Sequence, residues 1–264
     1  MHTATKAEYL RRREKDMSGC AIVGVMSEAG RRFPGDAAIR AIANMHERSN
    51  GLGGGFAAYG IYPEHADRYA FHAMFDYPSA QDAAREYLER HCTIAHEEPI
   101  PTRAIEAVRS RPILHRYFLT LKPWVRERYY DLTEEDLVVR IVMHINREIE
   151  GAFILSSGKN MGVFKGVGYP EDIGRFFRLD EVEAYLWLAH GRFPTNTTGW
   201  WGGAHPFGLL DWAVVHNGEV SSYGINRRYL ENHGYHCALH TDTEVIAYLF
   251  DLEHMPYYHD ENLA

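Results

Sequence analysis

Four short segments of the 264-residue chain carry side chains suited to chemistry at a carbonyl group. In the first, MSGCAIVGVM (Met17 to Met26), Cys20 opens an apolar, β-branched run. A thiol placed there is either a core filler or a nucleophile. The second, HGRFPTNT, holds Arg192 and Thr195; the third, HNGE, holds Asn217 and Gly218; the fourth, HTDTE, holds Asp242. Arginine offers a planar fork that grips a carboxylate with two hydrogen bonds. An aspartate can hold an ammonium group. Arg192 and Asp242 therefore match the two charged groups on the α-carbon of an amino acid. Asn217 brings a side-chain amide donor and Gly218 an unobstructed backbone N–H, a pair suited to an oxyanion. Cys20 with that pair would attack a carbonyl and stabilise the result. Each cluster also has a plain reading. Asn-Gly makes hairpin turns, Thr-Asp-Thr-Glu starts helices, and a lone arginine is a surface charge.

The elements that must position these groups are legible in outline. Residues 20–26 read as a buried strand. Residues 37–46 read as a helix with Asp36 as its cap. The glycines at 51, 53, 54 and 55 suit a loop feeding a strand over 56–62. Strand patterns cover 68–77 and 113–121, and helical patterns cover 79–91, with Ser79 as cap, and the stretch after Thr133. GAFILSS and MGVFKGV read as a hairpin turning at Gly158-Lys159-Asn160. Pro170 opens a short helix, Gly234 closes another, and Thr241 with Asp242 starts the last. Each polar cluster borders apolar sequence, so each is expected at the rim of a core.

Bulk properties narrow the field. A net charge of -8 argues against nucleic acid as a partner. No run approaches the ~18 apolar residues of a membrane span, and no apolar segment marks a secretory signal at the N-terminus. Cys20, Cys92 and Cys237 are three in number, an odd count that fits a reducing cytoplasm rather than a disulfide framework. His233, His236, Cys237 and His240 resemble metal-ligand spacing only loosely and lack a cysteine pair. No metal is therefore expected, and His190 and His216 read as hydrogen-bonded scaffold.

Taken together and in this order, the segments resemble the glutaminase domain of class II glutamine amidotransferases, which are N-terminal-nucleophile hydrolases. CAIVGV is similar to the family's opening Cys-Gly-Ile-Val/Phe-Gly, with Ala21 in place of the glycine. MHERSNGLGGGFAAYG resembles its Arg- and Gly-rich second motif, with Arg48 in the arginine position. LAHGRFPTNT, HPF and VVHNGEV resemble the glutamate-synthase branch, with Pro194 where Ser or Ala is usual. TDTEV matches the Asp-containing helix start. The resemblance implies an α+β, four-layer αββα sandwich over residues 20–264, with an α/β insertion at about 66–150 that matches no quoted motif. It implies that Cys20 is the nucleophile, with its own freed α-amino group as base. Asn217 and Gly218 would form the oxyanion hole. Arg192 would bind the α-carboxylate of L-glutamine and Asp242 its α-amino group, with Thr195 lining the pocket and Arg48 supporting it. Ammonia would pass to a glutamate-synthase-like synthase subunit in a hetero-oligomer. No cofactor is expected on this chain, since FMN and an iron–sulfur cluster would belong to that partner.

Two expectations follow from the order of residues. Residues 1–19 form a charged leader whose removal would expose the amine of Cys20. In the family further strands normally follow the last helix, so the sequence reads either as a fragment, incomplete at the C-terminal end, or as a protein whose sheet is completed differently. If the leader stays attached, the chain reads instead as a non-catalytic glutamine-binding regulatory or structural subunit.

Overall fold

The β-branched run after Cys20 forms strand β1, Ala21–Met26. In this computed structural model residues 19–193 and 199–254 are described. After β1 come β2 (Phe33–Pro34), α1 (Asp36–Ala43), a 3-10 turn (His46–Arg48), β3 (Gly54–Tyr59), β4 (Tyr69–Phe75) and α2 (Pro78–His91). Then follow β5 (Cys92–Pro99), β6 (Ile113–Leu121), α3 (Pro123–Arg128), α4 (Glu134–Glu148), β7 (Ala152–Ser156), β8 (Met161–Gly166) and α5 (Pro170–Phe176). The last described elements are β9 (Glu183–Ala184), β10 (Leu186–Gly191), β11 (Phe207–Leu209), β12 (Trp212–Val214), α6 (Tyr223–Asn232) and α7 (Asp242–His254).

This is a mixed α/β architecture built on two four-stranded antiparallel sheets. One has the order β1-β10-β3-β8 and the other β5-β6-β4-β7. Helices α1 and α5 bury Ile39, Ile42 and Ile173 with Phe56 and Trp187 of the first sheet. Helices α2 and α4 bury Leu88, Val138 and Val142 with Phe71 and Phe75 of the second. Both patterns follow from sequence, because the apolar residues recur at helical spacing and alternate along the strands. Residues 66–150 supply three of the second sheet's four strands, so they are woven into it.

The helix starts show which local signals decided. Thr133 accepts from Asp136 N while Asp136 accepts from Thr133 N, at 3.1 and 2.8 Å, a reciprocal capping box. Ser79 is not a cap: α2 begins at Pro78, whose fixed φ suits the first helical position, and Tyr77 stands before it. Asp36 lies inside the first turn of α1 rather than ahead of it, with Gly35 in the capping position. Its carboxylate still favours the helix by facing the positive end of the dipole.

The expected hairpin at Gly158-Lys159-Asn160 is a crossing between sheets. Strand β7 pairs with β4 and β8 pairs with β3. Local signals cannot tell these cases apart, since Asn160 adopts a left-handed φ of 51° that suits a tight turn in either. The long-range partners decide. Asn160 Oδ1 accepts from Tyr62 N at 2.7 Å, and Gly60 N donates to the Asn160 carbonyl at 2.7 Å, which fixes the crossing against the end of β3.

One row across the first sheet bears on the site. His190, Gly55 and Lys165 are neighbours in register on β10, β3 and β8. A Cβ on Gly55 would fall 2.3 Å from the His205 carbonyl oxygen and 2.6 Å from Lys165 Cβ. The glycine is thus required for His205 to lie against the sheet.

Candidate active site

Antiparallel pairing brings the nucleophile candidate to the arginine candidate. Ala21 is in register with Gly191, so Cys20 and Arg192 are the next residues outward on β1 and β10. The Cys20 carbonyl accepts from Arg48 Nε and from Asn217 Nδ2, both at 3.2 Å. Gly19 N donates to the Arg48 carbonyl at 3.1 Å. Arg48 therefore holds the backbone on both sides of the Gly19–Cys20 bond. The Asn217 amide gives one N–H to the Cys20 carbonyl, and its second N–H remains for another acceptor.

Arg192 is buried, with its backbone tied to Gly53 O at 2.7 Å and to Ser49 Oγ at 3.0 Å. Burial pulls the guanidinium below its usual pKa, and the nearby Cys20 and Asp242 oppose that pull. Asp242 begins α7, where Oδ2 accepts from Val220 N at 2.9 Å. His216 Nδ1 stands 3.8 Å from the same oxygen. Thr241 Oγ1 accepts from Glu244 N at 3.2 Å and caps the helix. Cys20, Arg192, Phe193, His216, Gly218 and Asp242 all line one cavity of about 310 Å³. Asn217 and Arg48 bond to the Cys20 carbonyl without lining that cavity themselves. Thr195 lies outside the described residues. The cavity thus brings a thiol, a cation, a carboxylate and a glycine N–H to one small volume, enough to hold an amino acid by its α-groups beside a nucleophile.

The other two cysteines have a different environment. Cys92 and Cys237 are buried, and desolvation pushes each thiol up to about 12. Cys20 is half-buried and opens on the cavity. Among the described residues no group of three or more potential metal ligands converges. His233 bonds to Tyr229 O at 2.8 Å, Cys237 is in the core, and His240 lines the cavity. No helix among the described residues is long and apolar enough to cross a membrane.

Three buried histidines are held by hydrogen bonds and ring contacts, and one of them, His205, lines the cavity. His190 Nε2 donates to the His216 carbonyl at 3.0 Å, and its ring stacks on His205 at 4.0 Å. His205 Nε2 lies 2.7 Å from Thr243 Oγ1. In the core between the sheets, His72 donates from Nδ1 to Val163 O and accepts from the Tyr62 hydroxyl at 2.6 Å. Burial lowers the pKa of His72 to about 3, that of His190 to about 4, and that of His205 well below its ordinary value. As pH falls below about 6.5, the unfolded chain takes up protons that these folded imidazoles refuse. Each then removes roughly 1 kcal/mol of stability per pH unit. Glu244, raised to about 7 by burial, has the opposite sign between its ordinary pKa and 7 and offsets one of the three. Stability is therefore expected to fall from pH 6.5 towards 4.5. A urea midpoint at pH 5 equal to that at pH 7 would contradict this.

Sequence reasoning missed Lys165 as part of the site's surroundings and gave Glu244, in the HTDTE segment, no role of its own. Lys165 had a signal, being the one charged residue in the strand MGVFKG. Trp200 and Trp201, which suited either core or a loop, pack inward: Trp201 lies against Phe176 and Trp200 against Phe153.

Comparison with known proteins gives the family. The family model for class II glutamine amidotransferases matches residues 92–249, a span that includes Arg192, Asn217, Gly218 and Asp242. An Archaeoglobus fulgidus protein named only as uncharacterized is 54% identical over 242 residues, covering 90% of this chain and 64% of the relative. A putative glutamine amidotransferase of Methanothermobacter thermautotrophicus is 24% identical over 87% of this chain and 70% of its own length. A glutamine–fructose-6-phosphate aminotransferase of Zymomonas mobilis is 31% identical over 123 residues, 44% of this chain and 20% of that protein. The chain thus spans less than two thirds of the first and a fifth of the last. A match over more than half of the chain, which covers Arg192, Gly218 and Asp242 of the cavity but not Cys20, makes this chain a member of the class II glutamine amidotransferases.

Proposed function

We propose that this chain hydrolyses the side-chain amide of L-glutamine with Cys20 as nucleophile, and that its two sheets and flanking helices form the four-layer sandwich of an N-terminal-nucleophile hydrolase. The observation that carries the reading is the shared cavity: Cys20, Arg192, Gly218 and Asp242 face one volume sized for an amino acid. The Cys20 thiolate attacks the amide carbon, and the oxyanion is met by Gly218 N–H and the Asn217 amide. Collapse of the intermediate expels ammonia and leaves a thioester. Water then cleaves the thioester to glutamate and restores the thiol. The α-amino group of Cys20 takes the thiol proton and gives it to the departing nitrogen. With an ordinary pKa of about 7.7–8.0, a free α-amine suits that work near neutral pH. It exists only once the Gly19–Cys20 bond is broken, so residues 1–19 act as a removable leader. The motif set HGRFPTNT, HPF and HNGE supports delivery of the ammonia to a glutamate-synthase-like subunit in the cytoplasm, with FMN and an iron–sulfur cluster on that subunit.

Mass measurement of the natively produced protein, together with assays for ammonia and glutamate, tests this directly. A chain beginning at Cys20 that releases both products supports the proposal. One observation favours a second reading, that of a non-catalytic glutamine-binding subunit: Gly19 docks on Arg48 through its N–H. A chain that retains Met1, binds glutamine and releases no ammonia would establish that alternative. Asn217→Ala gives a finer check. It is expected to lower kcat about a hundredfold with KM changed by less than about threefold. An unchanged kcat would remove Asn217 from the oxyanion hole.

A further inference from the structure

The Arg192 side chain runs past two glycines. A Cβ on Gly53 would fall 3.2 Å from Arg192 Cδ and 3.3 Å from Arg192 Cβ. At the far end, a Cβ on Gly203 would fall 3.1 Å from Arg192 Nη1. The same Cβ on Gly203 would fall 2.5 Å from Trp200 Nε1 and 2.8 Å from Trp200 Cδ1. The five-membered edge of the indole and the tip of the guanidinium therefore converge on one point beside Gly203. The opposite edge of the ring is held as closely. A Cβ on Gly202 would fall 2.5 Å from Trp200 Cζ3 and 2.9 Å from Leu239 Cδ2. The Phe153 ring meets the indole edge to face, with 5.6 Å between centroids. Gly53 and Gly203 are not among the glycines with positive φ, so what these positions supply is room and not a special backbone.

Trp200 does not line the cavity that holds Cys20 and Arg192. It lines a neighbouring one with Trp201 and Met74, so it meets Arg192 from outside the substrate volume. An arginine stem has many rotamers to lose, and a forked grip on a carboxylate works only in one orientation. A rigid indole packed on Phe153 can supply that choice before substrate arrives.

We propose that Trp200 and Gly203 are positioning residues for Arg192: the indole backs the guanidinium, Gly203 leaves the room for the two to converge, and together they fix where the fork meets the α-carboxylate of glutamine. This rests on the glutamine reading above.

The test uses the chain that begins at Cys20 and two substrates, L-glutamine and L-glutaminamide. The second carries an amide in place of the α-carboxylate and so gives the fork no anion to grip. Gly203→Ala places a methyl group at the point of convergence. It is expected to raise KM for glutamine about tenfold with kcat held within about threefold. For glutaminamide, kcat/KM read from the initial slope is expected to stay within about threefold of wild type. Trp200→Phe keeps a ring but withdraws the five-membered edge, and the same split is expected with a rise of about fivefold. A KM for glutamine equal to wild type in either variant, or an equal loss of kcat/KM on both substrates, would overturn the proposal. If glutaminamide turns over too slowly to read, the split between KM and kcat on glutamine decides. If Gly203→Ala does not fold, Trp200→Phe decides by the same measurements. A wild-type chain that neither binds nor hydrolyses glutamine would overturn the glutamine reading and this proposal with it. An active wild type beside unaltered variants would overturn this proposal alone.

Discussion

Replacing Cys20 with alanine is expected to lower ammonia release from glutamine by on the order of ten-thousandfold or more. The size follows from the role. Without the thiol no thioester forms, and only the oxyanion donors and substrate positioning remain to help water. The scaffold should survive, because the contacts to Cys20 run to its backbone carbonyl and not to sulfur: Arg48 Nε and Asn217 Nδ2 both bond to that oxygen. Glutamine affinity should therefore stay within a few-fold of wild type. Neither Cys92 nor Cys237 can take over, since burial holds both thiols protonated. The variant is best made in a chain beginning at Cys20, so that loss of the thiol is separated from an unprocessed leader. Calorimetry would give the affinity, and a coupled ammonia assay the rate. Wild-type release from the alanine variant would end the assignment of Cys20 as nucleophile.

Arg192→Leu is expected to reduce kcat/KM for glutamine by about a hundredfold to a thousandfold, mostly through KM. Arg192 is only 8% exposed, so a substrate carboxylate meeting it would do so largely out of water, where a forked pairing is strong. Leucine retains part of the packing, and the backbone contacts to Gly53 and Ser49 do not need the guanidinium. Asp242 would then hold the amino end alone. Glutamine saturation kinetics on the two proteins would settle the matter, and a KM equal to wild type would exclude Arg192 from carboxylate binding.

Much of the local structure was legible before the fold. Strand β1, the Thr133 capping box, the Pro170 start of α5 and the Thr241 cap of α7 all follow from short-range chemistry. So did the rim position of the polar clusters, because apolar runs ending in polar residues place those residues at the edges of strands and helices. Long-range choices were not legible. The stretch MGVFKG announced a strand but not its partner, and β7 and β8 were read as a hairpin although they enter different sheets. Strand β5, CTIAHEEP, went unread because its alternation is weak and it follows directly on the C-terminal end of α2. The Asn217 amide was legible as a donor but not its present acceptor, which is a backbone group contributed by β1's leading residue.

The pairing of β1 with β10 also orders events in time. Among the described residues β1 lies at the edge of its sheet, with β10 as its strand neighbour. During synthesis β1 leaves the ribosome long before β10 exists, and non-local pairings of this kind form late. The thiol at Cys20 thus spends the nascent stage without Arg192 or Asp242 beside it. On the proposed mechanism, chemistry at Cys20 is withheld until the segments carrying Arg192 and Asp242 have been made.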